Sequence, residues 1–326
     1  MSQIIESLSQ INYWDTVPHF FLGFRRESYI GHLEKDLGNR LIKVITGSNS
    51  KLLSGELATF LSGRYILTEV FPFSYKEFLE CRSLDNNKEN FIRYMSTSGL
   101  PETFNLEHIE TIRHYFQSLK DTILLKDIMQ RHQIRDYILL EDIFLFLLHN
   151  VGNMTSVPSI VKYFKSKKRK SDYNTISSYI FYLEEAYIIH KAPRYSLKTK
   201  ELLSGEKKYF LNDIGFRNYL YPQLIKDTGA ILENIVFMHL KMKKLDIKLG
   251  FANNFEIDFR ASNDFESSYI QVCYVMPTQK TIDREFGALE KIDDNFPKFV
   301  VSMDDLLINS PKGIIHQQVW DYLYSL

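Results

Sequence analysis

The chain has 326 residues, with 40 Lys or Arg against 40 Asp or Glu, so its formal net charge is zero. Such a length holds roughly two or three modules, and the charge balance removes any global field toward nucleic acid or membrane while permitting a local basic face. Two distant cysteines, Cys81 and Cys273, exclude a cysteine-built metal cluster and, with no export signal in MSQIIESLSQINYWD, imply reduced thiols in the cytoplasm.

In chain order, Ile4, Ile5, Leu8 and Ile11 have helical spacing until Trp14–Pro18 breaks it. Arg25–Leu37 reads as a helix with Tyr29, Ile30, Leu33 and Leu37 on one face, closed by Gly38-Asn39. Leu41, Ile42, Val44 and Ile45 form a short apolar run typical of a buried parallel strand, followed by the polar turn Thr46–Ser50. Leu52, Leu53, Leu57, Phe60 and Leu61 then recur at helical spacing up to Gly63-Arg64. A strand delivering small polar groups at its tip suggests a phosphate loop, which requires G-x-x-x-x-G-K-[ST]. Counting from Gly47 places Leu52 and Leu53 at the second Gly and the Lys, and counting from Gly31 places Asp36 at the second Gly. The pattern is absent.

The motifs ITGSNSKLLS (Ile45–Ser54), LSGRY (Leu61–Tyr65) and FPFSYKEF (Phe71–Phe78) together resemble a prokaryotic family of AAA-type ATPases. These carry a C-terminal domain related in fold to restriction endonucleases, and the resemblance covers roughly residues 25–326. It implies that ITGSNS is a sensor strand, with Ser48, Asn49 and Arg64 as nucleotide-sensing residues. Family members place a Walker A loop and a Walker B strand before the sensor, whereas here the segment leading to ITG runs straight into SNSKLL. The expectation is therefore an N-terminally reduced member lacking both, through an internal deletion or a gene-model fault between Gly47 and Ser48.

Downstream, Ile66–Phe71 reads as a strand, Pro72–Cys81 as a helix, and Ser98–Glu102 is similar to a GGLPE turn of that family. Glu107–Gln133 is a long amphipathic helix. Tyr137–Asp142 has four apolar-rich positions before two acids, but continues apolar through Leu147, so a buried helix describes it better than a Walker B strand. Tyr137–Asn150, a helix opened by Ser156-Val157-Pro158, and Asp172–Tyr187 give three helices. Ile188–Tyr195 and Lys207–Leu211 follow as a wing-like hairpin. The run Lys165–Lys170 lies just before the third helix, where cations would hold DNA phosphates. Lys167, Lys168, Arg169 and Lys170, with Lys191 and Arg194, are the candidate DNA-binding residues; a solvated loop or a protein-contact surface would use the same residues.

The C-terminal third carries a second constellation. Gly229–Leu240 reads as a helix bearing Glu233, Phe255–Phe259 as a strand bearing Asp258, and Tyr269–Val275 as a strand with Gln271 and Cys273. The pattern resembles restriction-type nucleases, in which acids on the first and second strands hold a divalent metal and a nearby lysine activates water. Gln271 and Cys273 stand where Glu-x-Lys would be, so metal binding and water activation are expected to be lost.

The expected fold class is α/β and α+β in several modules. Residues 1–105 are a remnant of a P-loop ATPase domain, 106–222 a helical linker with a winged-helix module, and 223–326 a catalytically inactive restriction-endonuclease-like domain. Three functions stay open: a non-catalytic DNA- or protein-binding member of the family, an ATPase whose nucleotide loop is supplied elsewhere, or a metal-dependent nuclease. No resident cofactor is expected, ATP and Mg²⁺ entering only with a completed nucleotide site. The partners expected are DNA, further copies of the chain or an ATPase of the same family, and no membrane; the location expected is the cytoplasm.

Overall fold

The computed structural model describes residues 69–224, 227–252, 255–310 and 312–326. The expected strand Leu41–Ile45 and the sensing residues Ser48, Asn49 and Arg64 lie outside the described residues. Among the described residues, no helix is long and apolar enough to cross a membrane.

Helix α1, Tyr75–Arg82, starts where a capping box dictates: the Ser74 hydroxyl accepts from the Glu77 N–H while Glu77 Oε2 accepts from the Ser74 N–H at 2.9 Å. Pro72 therefore precedes the cap instead of opening the helix. Glu69–Phe71 are irregular, so the expected strand 66–71 does not reach its described end. The backbone there is engaged otherwise, with Phe73 N–H donating to Gly99 O at 2.6 Å. Gly99 is required by that approach, since a Cβ would stand 2.8 Å from Phe73 O. The Gly99 N–H in turn donates to Asp213 Oδ2 at 2.8 Å, and Asp213 Oδ1 accepts from Gly215 N–H at 2.7 Å.

Helix α2, Lys88–Met95, packs its Phe91 and Tyr94 against Tyr75, with ring centroids 5.2 and 5.5 Å apart. Helix α3, Ile109–Thr122, continues into a π-helical stretch, Ile123–Gln130, so the long amphipathic element is nearly as expected. Helix α4, Tyr137–His149, is capped by Asp136 and is a helix, as its apolar continuation indicated. Helix α5, Val157–Ser166, begins on the Ser156–Ser159 capping box, and α6, Tyr173–Glu185, on Asp172.

The strands form one mixed seven-stranded sheet in the order β2-β1-β3-β4-β5-β6-β7. Strands β1 (Ile189–Ser196) and β2 (Leu202–Leu211) are an antiparallel hairpin, and β1 pairs parallel with β3 (Asp246–Ala252) through Arg194↔Leu249. Strands β4 (Phe255–Ser262) and β5 (Ser267–Cys273) continue antiparallel, then β6 (Lys298–Ser302) and β7 (Ile315–Gln318) parallel. The fold is mixed α/β, and the sheet runs across the residue-222/223 boundary expected between modules. Helix α7 is Gly215–Leu220, α8 Thr228–Met242, α9 Gln279–Glu290 and α10 Val319–Ser325.

Helix α8 is the axis of the core: Ile231, Leu232 and every residue from Asn234 to Leu240 are buried. Phe237 stacks on Phe210 of β2 at 4.2 Å, and Phe259 of β4 adds a third ring. A helix buried around its circumference must satisfy its polar side chains internally. Asn234 does so by accepting from Leu211 N–H at 2.7 Å and donating to Leu211 O at 3.0 Å, extending β2 with a side-chain amide. His239 bonds Ile235 O through Nδ1 and accepts the Tyr75 N–H on Nε2, both at 2.8 Å.

Burial lowers the His239 pKa from 6.5 to about 4. The unfolded chain takes up this proton near pH 6.5 and the folded chain only near pH 4, so the associated stability is present above 6.5 and is lost as pH falls toward 4. The magnitude is on the order of 3 kcal/mol. Buried Asp213, raised to about 6, acts with the opposite sign, favouring the fold as pH falls through that range. His239→Gln should therefore show a shallower acid-side loss of stability than the wild type. Urea midpoints measured between pH 7 and 4 check this, and parallel curves would refute it.

Candidate functional site: a carboxylate cluster closed by a lysine

Helix α8 brings Glu233 and strand β4 brings Glu256 and Asp258 to one place, and strand β2 supplies Lys208. The two-residue spacing of Glu256 and Asp258 puts them on the same side of β4. Lys208 is 6% exposed, and its Nζ lies 2.6 Å from Glu233 Oε1, 3.1 Å from Glu256 Oε1 and 3.3 Å from Asp258 Oδ1. The ammonium donates hydrogen bonds to Glu233 and Asp258, while Glu256 Oε1 faces it as an ion pair without a hydrogen bond. The other Glu233 oxygen is closed off by Gly152, held at φ +72°, where a Cβ would come within 3.1 Å. Glycine thus serves both the turn conformation and the close approach.

The hydrogen-bonded ladder between β4 and β5 ends at Phe259↔Ile270, and side chains take over beyond it. Asp258 Oδ2 accepts the Val272 N–H at 2.9 Å, and the Asp258 N–H donates to Gln271 Oε1 at 3.3 Å. Gln271 Nε2 donates to Glu285 Oε2 at 2.8 Å, and Glu285 is also paired with Arg284. The expected residues Glu233, Asp258 and Gln271 therefore belong to one connected polar network, which adds Lys208, Glu256 and Glu285. Cys273 lies outside these bonds, its thiol donating to Val275 O at 3.3 Å and pushed up to about 12 by burial and by Glu285.

Electrostatics set the protonation. Burial works against the Lys208 ammonium, but Asp258, Glu233 and Glu256 outweigh it and hold the lysine charged. Burial and the neighbouring Asp258 charge push the Glu233 carboxyl up, with Lys208 pulling it back. One ammonium against three carboxylates leaves an excess of negative charge, and Glu233 is the carboxyl whose proton affinity this raises.

These residues do not fit a metal ion. A divalent ion needs convergent oxygen lone pairs, yet the centre of the cluster is filled by an ammonium. Both ends of the Gln271 amide are committed, and Cys273 is a buried neutral thiol. Among the described residues, no group of three or more His, Cys, Asp or Glu side chains is arranged to hold a metal.

The basic segment divides in two. Lys167, Lys168 and Lys170 are exposed and, among the described residues, have no carboxylate partner. Arg169 is tied down, 3.0 Å from Asp136 and 3.2 Å from Asp142. Lys191 pairs with Glu184 at 2.5 Å and lines a cavity of about 300 Å³ with Glu69, Glu185 and Lys241. Arg194 stacks over Phe251 at 4.2 Å and lies 3.7 Å from Glu206. Helix α6 follows the basic segment and presents exposed Tyr173, Asn174 and Phe181.

Residues 27–79 match the family described as AAA domain, and residues 88–227 match a domain of unknown function, DUF8612. The first match supports kinship with the AAA-type family. An uncharacterized protein of Haemophilus influenzae is 34% identical over 265 residues, covering 79% of this chain and 65% of that protein. Uncharacterized protein MJ1544 of Methanocaldococcus jannaschii is 30% identical over 262 residues, covering 76% of this chain and 58% of that one. The chain thus spans less than two thirds of the length of either relative. No solved structure matches it.

Asp258→Ala removes both the acceptor for Val272 N–H and one partner of Lys208. The expected loss is about 1–3 kcal/mol. Urea denaturation measures it, and an unchanged midpoint would show that the network contributes nothing to the fold.

Proposed function

We propose that the chain is a non-hydrolytic DNA-binding protein of the AAA-type lineage. In this reading α4–α6 and the β1–β2 hairpin act as a winged-helix module, and the C-terminal part acts as a restriction-endonuclease-like scaffold without nuclease chemistry. The observation that carries it is the exposed basic group Lys167, Lys168 and Lys170 immediately before α6, which has no carboxylate partner among the described residues. Supporting it, Thr155 lies between the first two of the three helices and bridges Lys207 of the hairpin that follows the third. Helix α6 would then lie at the groove, its Tyr173, Asn174 and Phe181 exposed toward bases and sugars, with the lysines on phosphate.

Replacing Lys167, Lys168 and Lys170 together by Glu should abolish retardation of duplex DNA at moderate salt. Each phosphate contact removed should also lower the steepness of the log K against log salt plot by about 0.9. Arg169 is left intact because its Asp136 and Asp142 partners make it structural. Unchanged retardation rejects the basic segment as the contact. Magnesium- or manganese-dependent nicking of plasmid that disappears in Asp258→Ala would reject the non-nuclease part.

A second reading rests on the AAA domain match over residues 27–79, namely that ATP binds where another chain supplies the phosphate loop. Calorimetric titration of the purified chain with Mg-ATP should give no heat of binding alone. Tight binding by the isolated chain would restore an ATPase of its own.

A further inference from the structure

We propose that Lys208 is the resident cation of the C-terminal domain, its ammonium standing where a restriction-type nuclease would carry a divalent ion. The inference deepens the non-nuclease reading and rests on it only for the comparison with nucleases; the geometry stands by itself. Lys208 is buried, and its Nζ contacts Glu233, Glu256 and Asp258 at 2.6, 3.1 and 3.3 Å. A metal bound by those same oxygens would face the ammonium, whose side chain is 8% exposed, at contact distance. The cation also arrives from outside the carboxylates' own segment: Lys208 lies on β2 of the hairpin, whereas Glu233, Glu256 and Asp258 lie beyond residue 222. A buried carboxylate group of this kind needs a countercharge to fold, and here the chain provides it covalently. The domain is therefore independent of divalent metal, and the hairpin is held by the same contact that replaces the ion.

The test uses thermal melts of the full chain. Wild-type Tm should not respond to millimolar MgCl2 or MnCl2. Lys208→Met should lower Tm on the order of 10 °C, as expected for removing one partner of a buried charge group. Adding Glu233→Gln to Lys208→Met should recover a large part of that loss, because the penalty is uncompensated negative charge. The Lys208→Met deficit should also shrink as pH is lowered from 8 to 6, because the folded carboxylates then take up protons that the unfolded chain does not bind. A purely packing role for the lysine stem would move neither the double variant nor the pH dependence. Should Lys208→Met fail to fold, a folded Lys208→Met/Glu233→Gln chain supports the proposal and failure to recover one overturns it. A Mn²⁺-induced rise in wild-type Tm that vanishes in Asp258→Ala also overturns it. The retardation assay with the basic-segment variant is unaffected by either result, so the DNA reading and the resident-cation reading fail separately.

Discussion

The contact of one lysine with three acids is the constraint around which the rest of the molecule is arranged. Burying a charge is tolerable only when partners replace its lost hydration, and a buried ammonium set among three partly buried carboxylates demands that each be held in register. The register here is set on both sides. Asn234, next to Glu233, pairs with both polar atoms of the Leu211 backbone and locks α8 to the end of β2. Val272 N–H fixes Asp258 where the β4–β5 ladder parts. With α8 fixed against β2 and β4, Phe210, Phe237 and Phe259 fall into contact, and the apolar core follows from the polar knot as much as the reverse.

The amino-terminal helices are attached to this frame by the same device, a buried side chain satisfying backbone groups of a distant segment. His239 accepts the Tyr75 N–H at the start of α1, one of the donors that a helix terminus leaves without an intrahelical partner. Asp213 accepts the N–H groups of Gly99 and Gly215. Such contacts differ from apolar packing in that losing one partner leaves the other buried and unsatisfied, so they favour one docking geometry over its near alternatives. They also give the fold two opposing acid responses, the histidine favouring neutral pH and the aspartate acid.

Local chemistry in the sequence located most helices. Ser156 and Asp172 begin their helices where the sequence reading placed them, and the apolar continuation past Asp142 marked α4 as a helix, whereas the helix read from Pro72 starts only at the Ser74 cap. Glu233, Asp258 and Gln271 stood out in the sequence as a polar group, and their side chains are connected in space through Lys208 and the Asp258 backbone. Lys208 did not stand out, because its partners are 25 to 50 residues away and the parallel β1–β3 pairing that brings the hairpin beside β3, the neighbour of β4, is non-local. The available hint was a lysine immediately before the apolar run Tyr209–Leu211, a place where a cation is buried only if paired. Glu256 carried its own hint, two residues before Asp258 on the same strand side. Arg169, Lys191 and Arg194 show the converse: the sequence marks them as cations, but only the fold reveals the carboxylates and ring that occupy them.

The same reasoning bears on how binding would be achieved. A winged hairpin on a flexible stem must be ordered when it meets a duplex, and that ordering subtracts from affinity. Here β1 is already paired to β3 and β2 is tied through Lys208 to α8 and β4. In the proposed DNA reading the hairpin and α6 are therefore preorganised by the scaffold, leaving the exposed lysines of the 165–170 segment to supply the salt-dependent part of the interaction. The polar cluster is physically coherent in its own right: the carboxylates need the countercharge that the lysine brings, and the lysine in turn ties the hairpin to α8 and β4.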